Sequence, residues 1–228
     1  MPSAPSPDNS GHRARLRQRL FEGGPDALLD HELVEYLLAL AIPRRDTKPL
    51  AKALLTEFGG IAGLLTADAE RLASFPGMGE TSAAAIKTAH AAALRLTQAS
   101  IKDQPVLANW QALLDYLRAD MAHQLTERVR VLHMNSRNML IRDELMSEGS
   151  IDEAAVYVRE VIRRAIDLGS AAIILVHNHP SGDPAPSRAD IDLTRRVQEA
   201  GKRLGIALHD HVIIGAEGHS SLRAMGLM

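Results

Sequence analysis

Two histidines and an aspartate stand close together in the stretch HNHPSGDPAPSRAD, residues 177–190. His177 and His179 follow the apolar run AAIILV at positions 171–176, which is typical of a buried strand. Side chains two residues apart leave an extended strand on the same face, so both imidazoles could bind one ion. The loop that follows could return the carboxylate of Asp190 to the same point. Two imidazoles and one carboxylate leave a fourth tetrahedral position for water, as in catalytic zinc sites.

The same residues also have purely structural explanations. Ser187 and Asp190 have the spacing of a capping box at the start of a helix. A histidine pair beside Pro180 could simply form a hydrogen-bonded polar turn. For each residue taken alone these explanations are the more common ones, whereas the combination in one short segment favours a metal site.

Composition limits the kinds of site and partner that the chain can have. The sequence contains 0 cysteines, which excludes disulfides, thiolate nucleophiles and sulfur-ligated zinc. The start MPSAPSPDNS lacks the apolar core of a secretion signal, and no apolar run approaches the roughly 20 residues of a membrane span. We therefore expect a cytoplasmic protein with no membrane partner. With 26 Lys and Arg against 28 Asp and Glu, the chain is not a generally basic nucleic-acid binder.

Helical patterns fill the first hundred residues, and a mixed pattern fills the rest. We expect a disordered tail at 1–10, an all-helical domain at 11–101, a polar linker at 102–108 and a mixed domain at 109–228. In the last of these, strand patterns occur at 127–134, 138–147, 171–176 and 206–215. Helical patterns separate them, so the sequence predicts an α/β domain in which helices pack against a mixed sheet.

The segment FPGMGETSAAAIK, residues 75–87, resembles the helix-hairpin-helix motif, with Gly77 and Gly79 in its turn. In that family, backbone N–H groups of the hairpin and of the following helix hold a nucleic-acid phosphate, as the helix dipole favours. The resemblance implies DNA as a partner. The alternative is a tight turn in which the glycines only allow two helices to pack closely.

The histidine segment as a whole looks like the signature of the JAMM/MPN metalloprotease family. That signature is an upstream Glu, then His-x-His-Pro, a Pro-Ser pair and an Asp three residues on. The positions after the Glu are filled here by His177, His179, Pro180, Pro186, Ser187 and Asp190. The resemblance is narrowed to the RadC family by three features: the segment HNHPSGDPAPS, the run DHVIIG at 210–215 and the hairpin domain in front. It implies a cytidine-deaminase-like JAMM/MPN domain of α+β type, preceded by a small all-helical helix-hairpin-helix domain.

The resemblance also implies roles for individual residues. His177, His179 and Asp190 would bind one zinc ion, and Ser187 would donate to the oxyanion of a tetrahedral intermediate. The upstream Glu, which orients water and shuttles protons, begins the first strand of the domain and therefore points to Glu127. Glu144, on the second strand, is the alternative. His211 would line the cleft or support one of the metal ligands.

The function implied is zinc-dependent hydrolysis of an amide, peptide or isopeptide bond through a metal-activated water, in a family associated with DNA repair. The substrate would be protein or peptide-like. A first alternative is a non-catalytic DNA-binding or DNA-repair accessory factor whose JAMM/MPN domain serves as a platform for partners. A second is a metal-dependent phosphodiesterase, although two-metal sites usually serve that reaction.

Overall fold

A computed structural model describes residues 7–102, 104–149 and 156–228 of the chain, with the side chains of 7–10 and 102 left aside. The helices are α1 (Pro7–Gly23), α2 (Asp30–Ala41), α3 (Lys48–Glu57), α4 (Ile61–Thr66), α5 (Ala69–Ser74), α6 (Glu80–Lys102), α7 (Trp110–Met121), α8 (Val158–Asp167) and α9 (Arg188–Arg203). The strands are β1 (Glu127–Met134), β2 (Leu140–Gly149), β3 (Ala172–Asn178), β4 (Ala207–Gly215) and β5 (Gly218–Ser221). Short 3₁₀ turns occupy Pro25–Ala27 and Val106–Asn109.

The chain divides into two compact units, Met1–Ala93 and Leu94–Met228, and their boundary falls within α6. Of the tail predicted at 1–10, residues 1–6 lie outside the described residues, and α1 begins at Pro7. Position 103 of the predicted linker also lies outside them. None of the helices in the described ranges is both long and apolar enough to cross a membrane.

The first unit is helical, and its helices α2 to α6 each contribute one apolar side to a common core. Leu38 of α2, Leu54 of α3, Leu64 of α4, Leu72 of α5 and Ile86 of α6 are all fully buried there. Apolar residues spaced three or four apart produce such a stripe on a helix. The prediction of a small all-helical region before the sheet is therefore confirmed.

The second unit contains a five-stranded sheet in the order β2-β1-β3-β4-β5 within the described residues. The strand β1 is antiparallel to both β2 and β3, whereas β3 and β4 are parallel and β5 returns antiparallel to β4. This confirms the predicted mixed sheet. The short strand β5 was not predicted, because its sequence GHSS lacks the apolar alternation that marks a half-buried strand.

Helices cover both faces of this sheet. Even-numbered residues of β3, such as Ile174 and Val176, pack in one core with residues of α7. Odd-numbered residues, such as Ile173 and Leu175, pack in a second core with residues of α8 and α9. Because side chains alternate along a strand, His177 belongs to the face that carries α8 and α9.

Candidate metal centre

The register of the sheet decides which acidic residue meets the histidines. In the antiparallel pair of β1 and β3, Val129 lies opposite His177. Residues opposite each other share a face, and residues two further along share it again. Glu127, at the start of β1, therefore projects on the side of the sheet that carries His177, next to the point where His179 leaves β3.

The three predicted metal ligands converge at this point. The distance from His177 Nε2 to His179 Nε2 is 3.0 Å, and that from His177 Nε2 to Asp190 Oδ1 is 3.2 Å. His179 Nε2 lies 3.6 Å from Asp190 Oδ2. Ligand atoms about 2.0–2.1 Å from a tetrahedral zinc ion lie roughly 3.3 Å from each other. The spacing of the three side chains therefore matches the donor set of such an ion.

The protonation of His179 favours the same interpretation. Its Nδ1 lies 2.9 Å from the carbonyl oxygen of Asp183. A carbonyl can only accept a hydrogen bond, so Nδ1 carries the proton, and in the neutral ring Nε2 holds a lone pair. This lone pair faces the carboxylate of Asp190, and two acceptors in contact repel each other unless a proton or a metal ion lies between them.

A third imidazole, that of His211, contacts the His177 ring on its Nδ1 side. His211 Nε2 lies 2.9 Å from His177 Nδ1, and His211 Nδ1 lies 2.6 Å from Thr194 Oγ1. Burial, reinforced by the nearby His177 ring, lowers the pKa of His211 to about 3, so its ring is neutral. The sequence predicts that His211 lines the cleft or supports a ligand, whereas Thr194 was not predicted to have a role. Its position one helical turn after Asp190 is the signal that could have indicated it.

Ser187 and Asp190 form the capping box at the start of α9. The backbone N–H and the hydroxyl of Ser187 donate to Asp190 Oδ2 over 2.7 and 2.6 Å, and Asp190 N–H donates back to Ser187 Oγ over 3.2 Å. Burial by itself would raise the pKa of Asp190, but the neighbouring imidazoles of His177 and His179 and the hydrogen bonds from Ser187 outweigh it and hold that pKa far below its usual value. The Asp190 carboxylate therefore has both roles that its position suggested. Its Oδ2 completes the capping box of α9, while its Oδ1 is directed at His177 as a metal ligand would be.

The loop between His179 and Asp190 is anchored on the end of β4. His179 N–H donates to Ile214 O over 2.9 Å, and Glu217 N–H donates to Gly182 O over 3.1 Å. A Cβ atom at Gly215 would lie only 2.1 Å from Gly182 O. The close approach of the two backbones therefore requires glycine at position 215, which explains the last residue of the run DHVIIG.

A cavity of about 310 Å³ opens beside two of the three ligands, His179 and Asp190. The residues that line it are Glu127, His179, Pro180, Ser181, Ser187, Ala189 and Asp190. Burial raises the pKa of Glu127, the charges of His177 and His179 oppose that effect, and the charge of Asp190 adds to it. A half-buried carboxyl group of raised pKa in a cleft is well suited to accept and release a proton.

Glu144 lies elsewhere on the sheet. It pairs with Val131, four residues along β1 from Glu127, which corresponds to about 14 Å at the usual rise of a strand. Both of its carboxylate oxygens accept hydrogen bonds from Arg164, over distances of 2.7–3.1 Å. Those hydrogen bonds lower the pKa of Glu144. The structure therefore brings Glu127, and not Glu144, to the cavity at the histidines.

Asn178, between the two histidines, was not predicted to have a role. Its side chain is buried and bonds to the backbone on both sides of Glu127: Oδ1 accepts from Arg128 N–H over 2.8 Å, and Nδ2 donates to Thr126 O over 3.0 Å. These bonds begin where the backbone ladder between β1 and β3 ends, at Val129 and His177. A short polar residue at a strand end is too common a signal to have indicated this contact.

The predicted hairpin of the first unit is a tight turn before α6. Gly77 has a φ of 91°, a left-handed conformation that favours glycine, and its carbonyl accepts a hydrogen bond from Arg45 Nη1 over 3.0 Å. Gly79 N–H donates to Ser82 Oγ over 2.9 Å, and the first residue of α6 is the acidic Glu80. The turn thus combines one guanidinium group with one carboxylate.

Comparison with known protein families finds two matches along the chain. Residues 107–227, more than half of the chain, match the family model described as RadC-like JAB domain. Residues 9–84 match the model described as UPF0758 N-terminal. Together the two matches confirm the resemblance that the histidine segment and the preceding helical region indicate.

Proposed function

Because the chain belongs to the family defined by the RadC-like JAB domain, we propose that its second unit is a zinc-dependent hydrolase of an amide, peptide or isopeptide bond. The observation that carries the proposal is the convergence of His177, His179 and Asp190 within 4.8 Å of one another, with a ring proton of His179 directed away to a carbonyl. Neutral imidazoles and a carboxylate are the donors that zinc takes in open catalytic sites. A bound zinc ion would lower the pKa of water and polarise a carbonyl oxygen.

The proton transfers of this reaction are assigned to Glu127. Its carboxylate lines the cavity with His179 and Asp190, so it can accept a proton from water and return it to the leaving amine. Because Glu127 is partly buried, its carboxyl group is less hydrated than one on the open surface. Hydrolysis of an amide needs both transfers, and one group placed between water and leaving nitrogen can perform them in turn.

Ser187 is proposed as a donor to the carbonyl oxygen of the substrate. It lines the same cavity, but its hydroxyl donates to Asp190 Oδ2 over 2.6 Å. Donation to a substrate therefore requires rotation of the Ser187 side chain away from Asp190. Its backbone N–H, which also donates to Asp190, would continue to hold the carboxylate during that rotation.

The experiment that tests the proposal compares the wild-type protein with a His177→Ala, His179→Ala double variant. Elemental analysis should find about one zinc per wild-type chain and none in the variant, as expected for a single site with three protein ligands. The zinc-loaded protein is then incubated with a library of peptides and isopeptide-linked peptides, and products are identified by mass spectrometry. Glu127→Gln should retain zinc and lose the cleavage.

Three results would contradict the proposal in different ways. A wild-type protein that takes up no zinc, even after reconstitution, would favour a non-catalytic platform. Zinc-dependent cleavage of DNA that disappears in His177→Ala would favour the phosphodiesterase instead. Zinc bound equally by the double variant would mean that the ion lies at some other site.

DNA binding by the first unit is a second candidate function. The observation that favours it is the guanidinium group of Arg45 on the Gly77 turn, because a cation beside the N-terminus of a helix, here α6, suits a phosphate. Binding to duplex DNA should weaken steeply with salt and be lost in Gly79→Glu. Binding that is independent of salt, or unchanged in that variant, would leave the turn as a packing element.

A further inference from the structure

A continuous chain of hydrogen bonds connects the backbone of α9 to the ring of His177. Thr194 Oγ1 lies 2.6 Å from the carbonyl oxygen of Asp190 and 2.6 Å from His211 Nδ1. His211 Nε2 in turn lies 2.9 Å from His177 Nδ1. The side chains of Thr194, His211 and His177 are 0%, 0% and 2% exposed. Water therefore does not reach the chain to replace any of its bonds.

The direction of every hydrogen bond in this series follows from the first one, between Thr194 and the carbonyl of Asp190. The carbonyl of Asp190 can only accept, so the single hydroxyl proton of Thr194 is donated to it. The hydroxyl oxygen must then accept from His211 Nδ1. A neutral ring has one N–H, so His211 Nε2 is an acceptor and His177 Nδ1 is the donor. His177 Nε2 is left with a lone pair that faces His179 and Asp190.

We propose that Thr194 and His211 are positioning residues that hold the proton of His177 on Nδ1, so that Nε2 remains free to bind a metal ion. The two histidine ligands are oriented by different means: His179 donates directly to Asp183 O, whereas His177 reaches a carbonyl through two buried side chains. The metal-binding consequence rests on the proposed function. The tautomer does not, because it is a property of the metal-free protein.

Asp190 takes part in this arrangement twice. Its carboxylate lies 3.2 Å from His177 Nε2, and its carbonyl sets the direction of the bonds that end on His177 Nδ1. Thr194 lies one turn further along α9, so both groups are on the side of the helix that faces β3 and β4. Any shift of the first turn of α9 would therefore change the ligand carboxylate and the support of His177 together.

Replacement of the Thr194 hydroxyl should remove the constraint on the tautomers of His211 and His177. In Thr194→Val the shape is kept, but a proton on His211 Nδ1 would be buried without an acceptor, which is costly. The opposite tautomer of His211 avoids that cost, because its Nε2–H then donates to His177 Nδ1. The proton of His177 is thereby shifted to Nε2, where it blocks metal binding.

The experiment measures the tautomers and the zinc affinity of three variants of the full chain. Long-range ¹H–¹⁵N NMR of the histidine rings is recorded on metal-free protein, above the ordinary histidine pKa. Zinc affinity is measured by competition with a chelator. Thr66→Val is the matched control, because the Thr66 hydroxyl donates to Ala62 O over 2.8 Å in the same helical geometry but belongs to the first unit.

Wild-type protein and Thr194→Ser should carry the His177 proton on Nδ1 and bind zinc equally. Thr194→Val should shift the proton toward Nε2 and weaken zinc binding about 10-fold, the lower end of the range for residues that support metal ligands. Thr66→Val should change neither quantity.

A His177 proton on Nε2 in the wild-type protein would overturn the proposal even if Thr194→Val does not fold. An unchanged tautomer in folded Thr194→Val would overturn it as well, whatever the zinc affinity. A wild-type protein that has the expected tautomers but binds no zinc would support the positioning role and contradict the metallohydrolase instead. The failures of the two proposals are therefore distinguishable.

Discussion

The side-chain amide of Asn178 holds Glu127 from both sides along the chain. It accepts from the N–H of Arg128 and donates to the carbonyl of Thr126, the two neighbours of Glu127. Asn178 itself stands between the two histidines of the metal centre. The proposed proton acceptor and the proposed ligands are thus fixed relative to each other by a residue that has no chemistry of its own in the reaction.

Replacement of Asn178 by alanine should lower turnover while zinc binding is kept. The variant removes the bonds that fix Glu127 but leaves His177 and His179 on β3. A misplacement of about 1 Å at a reacting group can cost roughly 10²-fold in rate, which is the loss we expect in kcat. Zinc affinity, measured beside it, should stay within a few-fold of wild type.

Asn135→Ala is the matched control for this variant. The side chain of Asn135 also bonds to the backbone, accepting from Arg137 N–H and Met139 N–H at the opposite end of β1. Its loss should reduce stability without a specific loss of turnover. If both asparagine variants lose the same activity, the effect of Asn178 is general destabilisation and its positioning role is wrong.

The two glutamates of the sheet should behave differently on conversion to glutamine. Glu127→Gln should lower kcat by about 10²–10⁴-fold, the usual contribution of a general acid–base group, with zinc content unchanged. Glu144→Gln should retain activity, because its carboxylate pairs with Arg164 on another part of the sheet. An active Glu127→Gln beside an inactive Glu144→Gln would reverse the assignment.

Gly215→Ala should displace the loop that carries the metal ligands. The added methyl group would meet Gly182 O at 2.1 Å, so the loop, the strand or both must move. Overpacking of this kind typically costs about 1–3 kcal/mol, and we expect weaker zinc binding in addition. Calorimetric unfolding and chelator competition measure the two effects.

Gly79→Ala provides the control for that substitution, since a Cβ at Gly79 would have nothing within 4 Å. It should leave both the unfolding temperature and the zinc affinity near wild type. A Gly215→Ala protein indistinguishable from this control would mean that the loop does not depend on close contact with β4.

The ion pair between Arg19 and Glu32 should make the stability of the first unit depend on acid pH. Its two N···O distances are 2.7 and 2.8 Å, and the hydrogen bonds from Arg19 lower the pKa of Glu32 to about 2. A carboxyl group whose pKa is lowered by folding stabilises the folded state at pH values above its ordinary pKa of 4.5. This contribution is lost as the pH falls from there towards about 2. Because the Arg19 side chain is exposed, solvent screens the ion pair and we expect only a small contribution to the free energy of unfolding at neutral pH.

Glu32→Gln tests this contribution. Its free energy of unfolding should be lower than that of wild type at neutral pH, and the difference should vanish in acid. Helical circular dichroism follows the transition, while the fluorescence of Trp110, the single tryptophan, reports on the second unit and should not change. A difference that is the same at all pH values would rule out the carboxylate as its origin.

The amino-acid sequence was sufficient for the features that depend on local rules. The helical first unit and the mixed sheet follow from the periodicity of apolar residues, and the closeness of His177 to His179 follows from strand geometry. Ser187 and Asp190 are joined by capping chemistry across three residues. The strand β5 escaped prediction because it is formed by pairing with β4 and not by an apolar pattern of its own.

Only the tertiary structure decided which distant groups meet at the metal centre. Asn178 and Arg128 are 50 residues apart in the sequence, and His177 and His211 are 34 apart. Their contacts arise from the register of β1 and β4 against β3, in which a slip of one residue would turn each side chain to the other face. The sequence could therefore offer both Glu127 and Glu144 as candidates, whereas the register of the folded sheet brings Glu127 alone of the two to the cavity.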